Sequence, residues 1–270
     1  MSETVGVVGA GRMGLPIVGH LARAGFRTLA TDLDSTRQPG VEQKTALWRP
    51  DAASLARECD IILVCVGLDR EVRELLAPGG ALRSARRGSV CAVLSTIHPR
   101  TIQDLSGQNR AVGLEVIDST VCRGGEAADR GTLLSFVGGP RPVVERVTPV
   151  LRAYSADVVH TGGVGSAQVA KAVNNLIMWA CLVADHEGLA LAQRYGLDTA
   201  LMRDALGMSS AANEALARWG TQTMAWAEDD MAIVAEMAAA CGIALPQADV
   251  TREICRALKA HRFKLDQYGR

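Results

Sequence analysis

The chain has 270 residues, 48% of them hydrophobic, and its 29 basic residues balance 29 acidic ones. A chain of this length can bury a full core and is expected to form two domains. The balanced charge, without long runs of one sign, argues against a nucleic-acid partner and against an anionic membrane surface. Because Lys, Asp or Gly interrupts every apolar stretch well before about 18 residues, no membrane-spanning helix is predicted.

Cysteine and histidine usage indicates a reducing compartment and no metal site. The seven cysteines are scattered and never occur in a C-x-x-C spacing, so we predict reduced, mostly buried thiols. The five histidines show no metal-ligand spacing, and within Asp185-His186-Glu187 neighbouring helical positions point in different directions. The N-terminus enters a strand pattern without a basic leader segment. We therefore expect a cytoplasmic protein without a resident metal.

The first 160 residues alternate short apolar runs with helical patterns. Strands are predicted at 4–11, 26–32, 60–67, 89–96, 111–119, 133–139 and 156–162. Continuous apolar strands separated by helices predict a parallel sheet that is covered on both faces.

The pattern changes after Gly165, because no strand-like run follows. Residues 166–193 are predicted to form one helix of roughly 28 residues, about 40 Å long, with Gly196 as its stop. Further helices are expected at about 198–207, 210–227, 229–241 and 246–260. The predicted architecture is a doubly wound α/β domain over 1–163, joined by the long helix to an all-helical domain over 164–270.

A glycine motif follows the first strand and opens a helix: Gly9-x-Gly11-x-x-Gly14. Gly9 permits the tight turn, Gly11 lets the backbone approach a pyrophosphate, and Gly14 lets the helix pack on the sheet. The turn at Arg12 and Met13 then offers backbone N–H groups to phosphates. With the strand before it and the helix after it, this motif predicts a Rossmann-type dinucleotide site.

An acidic residue, Asp32, ends the second strand. A carboxylate at this position accepts both ribose hydroxyls of NAD and repels the 2′-phosphate of NADP. Arg37, five residues further on, is the residue that could accommodate that phosphate instead. We therefore predict NAD as the cofactor in preference to NADP.

Three polar residues interrupt the long apolar helix: Lys171, Asn174 and Asn175. Positions i, i+3 and i+4 share one helix face, and buried ammonium and amide groups are costly unless they are paired. This face is therefore either solvated or the lining of a site.

Four stretches together resemble the 3-hydroxyisobutyrate dehydrogenase (β-hydroxyacid dehydrogenase) family over nearly the whole chain. They are VGVVGAGRMGLPIVGHLARAGF, LSTIHPRT, IDSTVCRGGEAADRGTLLSFVGG and GGVGSAQVAKAVNNLI. The resemblance implies that Lys171 transfers the proton, that Asn174 and Asn175 orient the substrate, and that their helix face lines a cleft between the domains. A lysine among apolar side chains loses hydration of its ammonium form and so becomes a better base.

The resemblance also assigns the strand-end loops. Val66 would border the adenosine half of the cofactor, and Thr96 would lie near the nicotinamide. The backbone of the loop after Asp118, at Cys122 and Gly124, would hold the substrate carboxylate.

The sequence departs from the family pattern in two places. The carboxylate loop reads Cys122-Arg123-Gly124 where Ser-Gly-Gly is usual, and Asp229 stands where a second lysine is usual. A thiol is a weaker hydrogen-bonding group than a hydroxyl. The guanidinium of Arg123 is predicted to bind a larger or more charged anion, and the alternative is an ion pair with Glu126 or Asp129.

We predict an NAD-dependent dehydrogenase of a small β-hydroxy acid or a related anionic alcohol. A sulfonated-aldehyde reductase of the sulfolactaldehyde type is the alternative, and an imine reductase or a non-catalytic NAD sensor is disfavoured because Lys171 is present. Trp179, Trp219 and Trp226 are interpreted as core or subunit contacts. The apolar helical half predicts at least a homodimer, or a homotetramer.

Overall fold

The computed structural model describes residues 3–269. By its internal contacts the chain divides into two compact units, of which the first ends at Lys171 and the second begins at Ala172.

One mixed sheet organises the first unit. Between residues 3 and 171 its strands are β1 (Thr4–Val8), β2 (Arg27–Thr31), β3 (Leu47–Trp48), β4 (Ile61–Val64), β5 (Val90–Val93), β6 (Glu115–Asp118), β7 (Val121–Cys122), β8 (Leu133–Gly138) and β9 (Ser155–Gly162). The strand order is β3-β2-β1-β4-β5-β6-β8-β7, with β9 paired to β8.

Helices connect these strands, and the elements that follow β9 are helical. In the first unit they are α1 (Gly14–Arg23), α2 (Gln38–Gln43), α3 (Ala52–Ala56), α4 (Asp69–Leu76), α5 (Pro99–Arg110), α6 (Gly124–Arg130) and α7 (Arg141–Leu151). Helix α8 (Ser166–Arg194) begins in the first unit and continues into the second, which also contains α9 (Thr199–Gly207), α10 (Glu214–Ala217), α11 (Ala227–Cys241) and α12 (Pro246–Leu258).

The sheet is buried on both faces, as the continuous apolar strands predict. Along β4, Ile61 and Leu63 belong to one hydrophobic cluster, while Ile62 and Val64 belong to another on the opposite face. All four side chains are fully buried. The predicted doubly wound domain followed by a helical region is therefore confirmed.

The sheet is parallel, as predicted, except at one edge. Strand β8 pairs antiparallel with both β6 and β7. The cause is the short connection between β7 and β8, which contains only the seven-residue α6. A parallel return needs a crossover of a dozen or more residues, so the chain reverses direction here instead.

Helix α8 is a single 29-residue helix, as predicted. Lys171 and Asp185 interrupt its apolar run, as the sequence predicts, but the helix as a whole still reaches a mean hydropathy of 1.3 over 18 residues. By length and composition alone α8 could cross a membrane. This is weak evidence, since the core helix of a globular protein passes the same test.

The helical unit contains one clear departure from the sequence prediction. Instead of one helix over 210–227, only α10 forms, starting after Asn213, whose side chain accepts a hydrogen bond from the Leu216 N–H. The backbone then adopts positive φ at Gly220 and Met224, a conformation that no helix can contain. Helix α11 consequently begins at Ala227.

Candidate active site

The carboxyl ends of five parallel strands lie side by side in the sheet. Their last residues pair in register: Val8 with Thr31 and Val64, Val64 with Val93, and Val93 with Asp118. The loops that follow these strands therefore converge at one sheet edge, which is where ligands bind in open α/β sheets. The predicted cofactor residues all lie in or directly after these loops.

The glycine loop has the geometry that a pyrophosphate site needs. Gly9 has φ +98°, and a Cβ there would collide with the Cys65 carbonyl oxygen. A Cβ at Gly14 would collide with the Gly9 carbonyl oxygen, so the entering helix packs directly on the turn. A Cβ at Gly11, in contrast, would meet no atom within 4 Å, which leaves open space over the turn that passes through Arg12 and Met13 into α1.

Two aspartates shape the region after β2. Asp32 accepts hydrogen bonds from the Ala10 N–H at 2.7 Å and from the Asp34 N–H at 2.9 Å, so its carboxylate is fixed beside the glycine loop. Asp34 accepts hydrogen bonds from Thr36, which lower the pKa of its carboxyl, and it lies 3.3 Å from the Arg37 guanidinium. Arg37 is thus already paired with an aspartate.

The loops after β4 and β5 are joined by hydrogen bonds. Ser95 Oγ accepts from the Val66 N–H at 3.0 Å and donates to the Val66 carbonyl at 2.8 Å. Both peptide groups that flank Thr96 are held by Gln168, whose Nε2 donates to the Ser95 carbonyl and whose Oε1 accepts from the Ile97 N–H, each at 2.9 Å. The backbone at Val66 is therefore held by the Ser95 side chain, and the backbone on both sides of Thr96 is held by the Gln168 side chain.

Sequence reasoning missed Gln168. Its side chain is fully buried, and it lies in the first turn of α8, three residues before Lys171. A signal was present, because an amide in the run Ala167-Gln168-Val169-Ala170 has to find partners when buried. The pattern could not reveal that those partners lie more than 70 residues away along the chain.

Asp118 fixes the start of α8. Its fully buried carboxylate accepts from the Gly165 N–H at 2.7 Å and from the Gln168 N–H at 3.0 Å. Burial raises the pKa of this carboxyl, while the backbone N–H groups act in the opposite direction. A carboxylate at a helix N-terminus satisfies N–H groups that have no partner within the helix. These hydrogen bonds join the first turn of α8 to the end of β6.

The predicted proton-transfer residue lies beside the predicted carboxylate loop. Lys171 Nζ is 3.9 Å from the Sγ of Cys122, 49 residues earlier in the chain. Lys171 is half-buried and Cys122 is buried. Two of the residues that the resemblance assigns to substrate chemistry are thus brought together within the first unit.

Asn174 and Asn175 follow Lys171 on the same continuous helix. Asn175 is buried, and its Oδ1 accepts a hydrogen bond from Asn174 Nδ2 at 3.1 Å. Helical spacing places both amides on the side of α8 that carries Lys171. The paired amides leave further donor and acceptor capacity on both side chains.

The structure gives Arg123 a different partner from the two considered. Its guanidinium lies 2.7 Å from the carboxylate of Asp157 on β9, and it donates to the Thr132 carbonyl at 3.1 Å. The proposed alternatives are wrong, because Glu126 pairs with Arg130 and Asp129 pairs with Arg12. Arg123 also has φ +82°, and Gly124 has φ +73°, so the loop backbone turns in a left-handed conformation that favours glycine.

Asp229, which stands where a second lysine is usual in the family, places a negative charge at the start of a helix. Asp229 is exposed in the first turn of α11, where an acidic residue is favourable because the helix dipole is positive there. The neighbouring Asp230 accepts a hydrogen bond from the Trp179 indole N–H at 3.0 Å. Trp179 is buried and Trp219 packs against the same core, while Trp226 is 50% exposed.

The cysteines and the Asp185-His186-Glu187 segment have structural contacts. No disulfide joins any of the seven cysteines, all of which lie within residues 3–269, and burial raises the pKa of Cys65 and of Cys91 to about 12. Asp185 accepts from Asn213 Nδ2, and Glu187 accepts from the Tyr268 hydroxyl. Across residues 3–269, no cluster of three or more His, Cys, Asp or Glu side chains could hold a metal ion.

Comparison with known proteins assigns both parts of the chain. A family model described as the NAD binding domain of 6-phosphogluconate dehydrogenase matches residues 4–163. A second, described as the NAD-binding domain of NADP-dependent 3-hydroxyisobutyrate dehydrogenase, matches residues 165–267. Together these models establish a nicotinamide cofactor.

Individual proteins agree with these models. The 3-hydroxyisobutyrate dehydrogenase of Pseudomonas aeruginosa is 30% identical over 213 residues, which are 78% of this chain and 72% of that protein. The 2-(hydroxymethyl)glutarate dehydrogenase of Eubacterium barkeri is 28% identical over 216 residues, 80% of this chain and 72% of that protein. The fold matches the Mycobacterium tuberculosis 3-hydroxyisobutyrate dehydrogenase, solved with L-serine, with a TM-score of 0.88 and 22% identity over 97% of this chain and 95% of that one. The chain therefore belongs to the 3-hydroxyisobutyrate dehydrogenase family and is an NAD(P)-dependent oxidoreductase that acts on the CH–OH group of hydroxy acids.

Proposed function

We propose that this enzyme oxidises the hydroxyl group of a small β-hydroxy acid with NAD, and that Lys171 is its proton-transfer residue. The observation that carries the proposal is the 3.9 Å approach of Lys171 Nζ to the Sγ of Cys122, the last residue of β7. An amine next to the loop that is to hold the substrate carboxylate is suitably placed to reach a hydroxyl two carbons away from that carboxylate.

The residues around the glycine loop fit a dinucleotide. Gly9 and Gly14 occupy positions that no larger side chain could fill, the space above Gly11 is open, and Asp32 is fixed as a ribose acceptor. Asp32 disfavours a 2′-phosphate by charge, and Arg37 is already paired with Asp34; both points support NAD over NADP. The bound nicotinamide supplies the hydride acceptor.

The protein's own groups carry the remaining steps. Lys171, as a free amine, takes the hydroxyl proton when the hydride leaves the carbinol carbon, and in the reducing direction its ammonium returns that proton to the oxygen. The loop at Cys122, Arg123 and Gly124 binds the substrate carboxylate through its backbone. Asn174 and Asn175 orient the substrate hydroxyl beside Lys171. Gln168 keeps Lys171 and the Thr96 segment in a fixed relation.

The reductase alternative for sulfonated aldehydes depended on the Arg123 guanidinium as an added anion-binding group. Because that guanidinium is engaged by Asp157 and by the Thr132 carbonyl, it offers this alternative no support. We therefore propose a monocarboxylate or dicarboxylate β-hydroxy acid as substrate class.

A substrate panel combined with Lys171 variants tests this function. NAD reduction is measured with 3-hydroxyisobutyrate, L-serine, 2-(hydroxymethyl)glutarate, a hydroxypropanesulfonate and a neutral alcohol of equal size. We expect turnover of at least one carboxylate, a kcat lowered by about 10²–10⁴-fold in Lys171→Ala, the usual worth of a positioned acid or base, and NAD affinity within twofold of wild type. Lys264→Ala, an exposed lysine in the other unit, serves as the matched control.

Two results would contradict the proposal. Turnover of the sulfonate without turnover of any carboxylate would favour the reductase alternative. Activity that survives within a few-fold in Lys171→Ala would place the proton-transfer group elsewhere.

We further propose a homodimer or homotetramer in the cytoplasm. In the second unit, Val173, Ile177 and Leu191 on α8 are 49%, 58% and 60% exposed, which is apolar surface that a partner subunit would cover. Light scattering at micromolar concentration should give at least twice the 28.6 kDa of one chain. A mass of one chain would exclude the assembly.

A further inference from the structure

Cys122 places a nucleophilic sulfur in the candidate active site, where hydride and proton transfer do not need one. Its Sγ lies 3.9 Å from Lys171 Nζ, so the amine of the site contacts the thiol directly. A serine is usual at this position in the family, and a hydroxyl oxygen does not undergo the oxidations that a thiol does. The Cys122–Lys171 pair is therefore a chemical feature of this chain that the dehydrogenase reaction leaves unexplained.

The amine favours the reactive form of the thiol. When one proton moves from Sγ to Nζ, a thiolate lies beside an ammonium, and the opposite charges stabilise each other. The thiolate, and not the thiol, is the nucleophile in thiol oxidation. A small oxidant can also reach the sulfur, because Cys122 keeps 5% of its surface accessible and Lys171 beside it is only half-buried.

Other cysteines of the chain have less suitable surroundings. Burial raises the pKa of Cys59, Cys65 and Cys91 to about 12, so these thiols stay protonated near neutral pH. Cys241 is exposed, but it is the last residue of α11, where the helix dipole is negative and disfavours an anion. Cys122 combines an accessible surface with a basic group in contact with the sulfur.

We propose that Cys122 is a site of reversible oxidation by hydrogen peroxide and that Lys171 assists the reaction. The thiolate sulfur attacks one peroxide oxygen, so that an S–O bond forms while the O–O bond breaks. The departing hydroxide takes a proton from the Lys171 ammonium and leaves as water. The sulfur is oxidised by two electrons to a sulfenic acid, the peroxide is reduced, and the lysine returns to its amine form.

This oxidation switches the enzyme off, a consequence that rests on the proposed function. The added hydroxyl lies on the sulfur beside Lys171 Nζ, in the loop that is to bind the substrate carboxylate. It therefore excludes the carboxylate and hydrogen-bonds the amine that is to accept the substrate proton. A thiol reductant removes the added oxygen as water and restores the thiol, so the loss of activity is reversible.

Dimedone labelling tests the site, because dimedone reacts with sulfenic acids and peptide mass spectrometry then locates the label. During exposure of the full-length enzyme to hydrogen peroxide, we expect Cys122 to be labelled at least tenfold faster than Cys241. In a parallel sample without dimedone, activity should fall as fast as the label appears, and dithiothreitol should restore it. Lys171→Met removes the amine and should slow the labelling of Cys122 at least fivefold. The control Lys264→Met, at an exposed lysine of the other unit, should label within twofold of wild type.

Three outcomes would overturn the proposal: Cys122 stays unlabelled while Cys241 reacts, both lysine variants are labelled at equal rates, or peroxide inactivates Cys122→Ser as fast as the wild type. Each activity is compared with that of the same variant before treatment. Circular dichroism checks that the variants are folded, and Lys171→Gln replaces Lys171→Met if that variant is not.

The labelling rates do not depend on turnover, so the two roles of Lys171 are tested separately. If Lys171→Ala keeps its activity, the proposed proton transfer fails, and the labelling still decides whether Cys122 is an oxidation site. If Cys122 is labelled and activity persists, the oxidation does not switch the enzyme off and this inference fails.

Discussion

The Nζ of Lys171 lies 3.9 Å from the Sγ of Cys122, a thiol at a position where the family usually has a hydroxyl. A serine hydroxyl forms stronger hydrogen bonds than a thiol, and a neutral hydrogen bond contributes about 0.5–1.5 kcal/mol. We expect Cys122→Ser to lower the KM for the carboxylate substrate by about two- to tenfold and Cys122→Ala to leave it unchanged or raise it. Steady-state kinetics decide this, and equal KM values for the two variants would show that residue 122 does not contact the substrate.

Asp32 is expected to set cofactor choice. A carboxylate near a 2′-phosphate costs about 1–4 kcal/mol, depending on the effective dielectric constant. The wild type should therefore prefer NAD over NADP about tenfold or more in kcat/KM, and Asp32→Ala should narrow that ratio. Asp104→Ala, an exposed aspartate on α5, is the matched control. Equal use of both cofactors by the wild type would refute this prediction.

Gln168 is expected to act as a positioning residue. Gln168→Leu leaves the Ser95 carbonyl and the Ile97 N–H unpaired, and each buried unsatisfied group costs about 1–3 kcal/mol. The free energy of unfolding in urea should fall by that order, and kcat should fall more than KM changes. Gln103→Leu, which removes a single exposed bond to the Val164 carbonyl, should cost less than about 0.5 kcal/mol. If kcat stays at the wild-type value in Gln168→Leu, the hydrogen bonds to Ser95 and Ile97 do not position the Thr96 segment for catalysis.

The Arg123–Asp157 pair is expected to shape its loop without contributing to substrate affinity. The two side chains are 42% and 55% exposed, and an exposed pair contributes only about 0–1 kcal/mol. Arg123→Gly removes the pair but relieves a left-handed backbone, so stability should change by less than about 1 kcal/mol. The KM for the acid should stay within threefold in Arg123→Gly and in Asp157→Asn. A tenfold rise confined to Arg123→Gly and to charged substrates would instead identify an anion-binding guanidinium.

Because of His186, we expect the folded protein to lose stability in mild acid. It is buried, its Nδ1 donates to the Leu182 carbonyl at 2.8 Å, and its Nε2 accepts from the Phe263 N–H at 3.0 Å. Burial lowers its pKa below the usual 6.5. Between pH 6.5 and the lower folded-state pKa, the imidazole of His186 binds a proton in the unfolded chain but not in the folded one. The free energy of unfolding therefore falls as the pH drops through this range.

Urea denaturation at pH 7.5 and at pH 5.5 measures this effect. His186→Phe should cost about 1–3 kcal/mol at pH 7.5, because the Phe263 N–H loses its acceptor, and should flatten the pH dependence. The exposed His261 is the comparison, and His261→Gln should leave the wild-type pH dependence intact. An unchanged pH dependence in His186→Phe would assign the acid sensitivity to other groups.

Local patterns predicted the glycine loop, the carboxylate after β2 and the 29-residue α8, because each depends on neighbours in sequence. The direction of β8 was not predictable from hydrophobic runs, which are alike in parallel and antiparallel strands. The sequence prediction missed the break in the helix over 210–227. Gly220, which adopts φ +88°, was the signal for it. Asp157 could not be assigned to Arg123, because only the pairing of β8 with β9 brings it there.

The start of α8 is anchored twice, because Asp118 accepts hydrogen bonds from the Gly165 and Gln168 N–H groups and the Gln168 side chain bonds to the Ser95 carbonyl and the Ile97 N–H. This stretch is therefore intolerant of changes in length. One residue inserted between Gln168 and Lys171 would rotate the lysine by about 100° around the helix axis and advance it by about 1.5 Å. The amine would then move away from Cys122, and every later residue of the helix would rotate with it. An insertion beyond Arg194 has no such effect, because the turn there lies downstream of both anchors. Across natural variants of this chain, insertions and deletions should therefore be absent between Gly165 and Lys171.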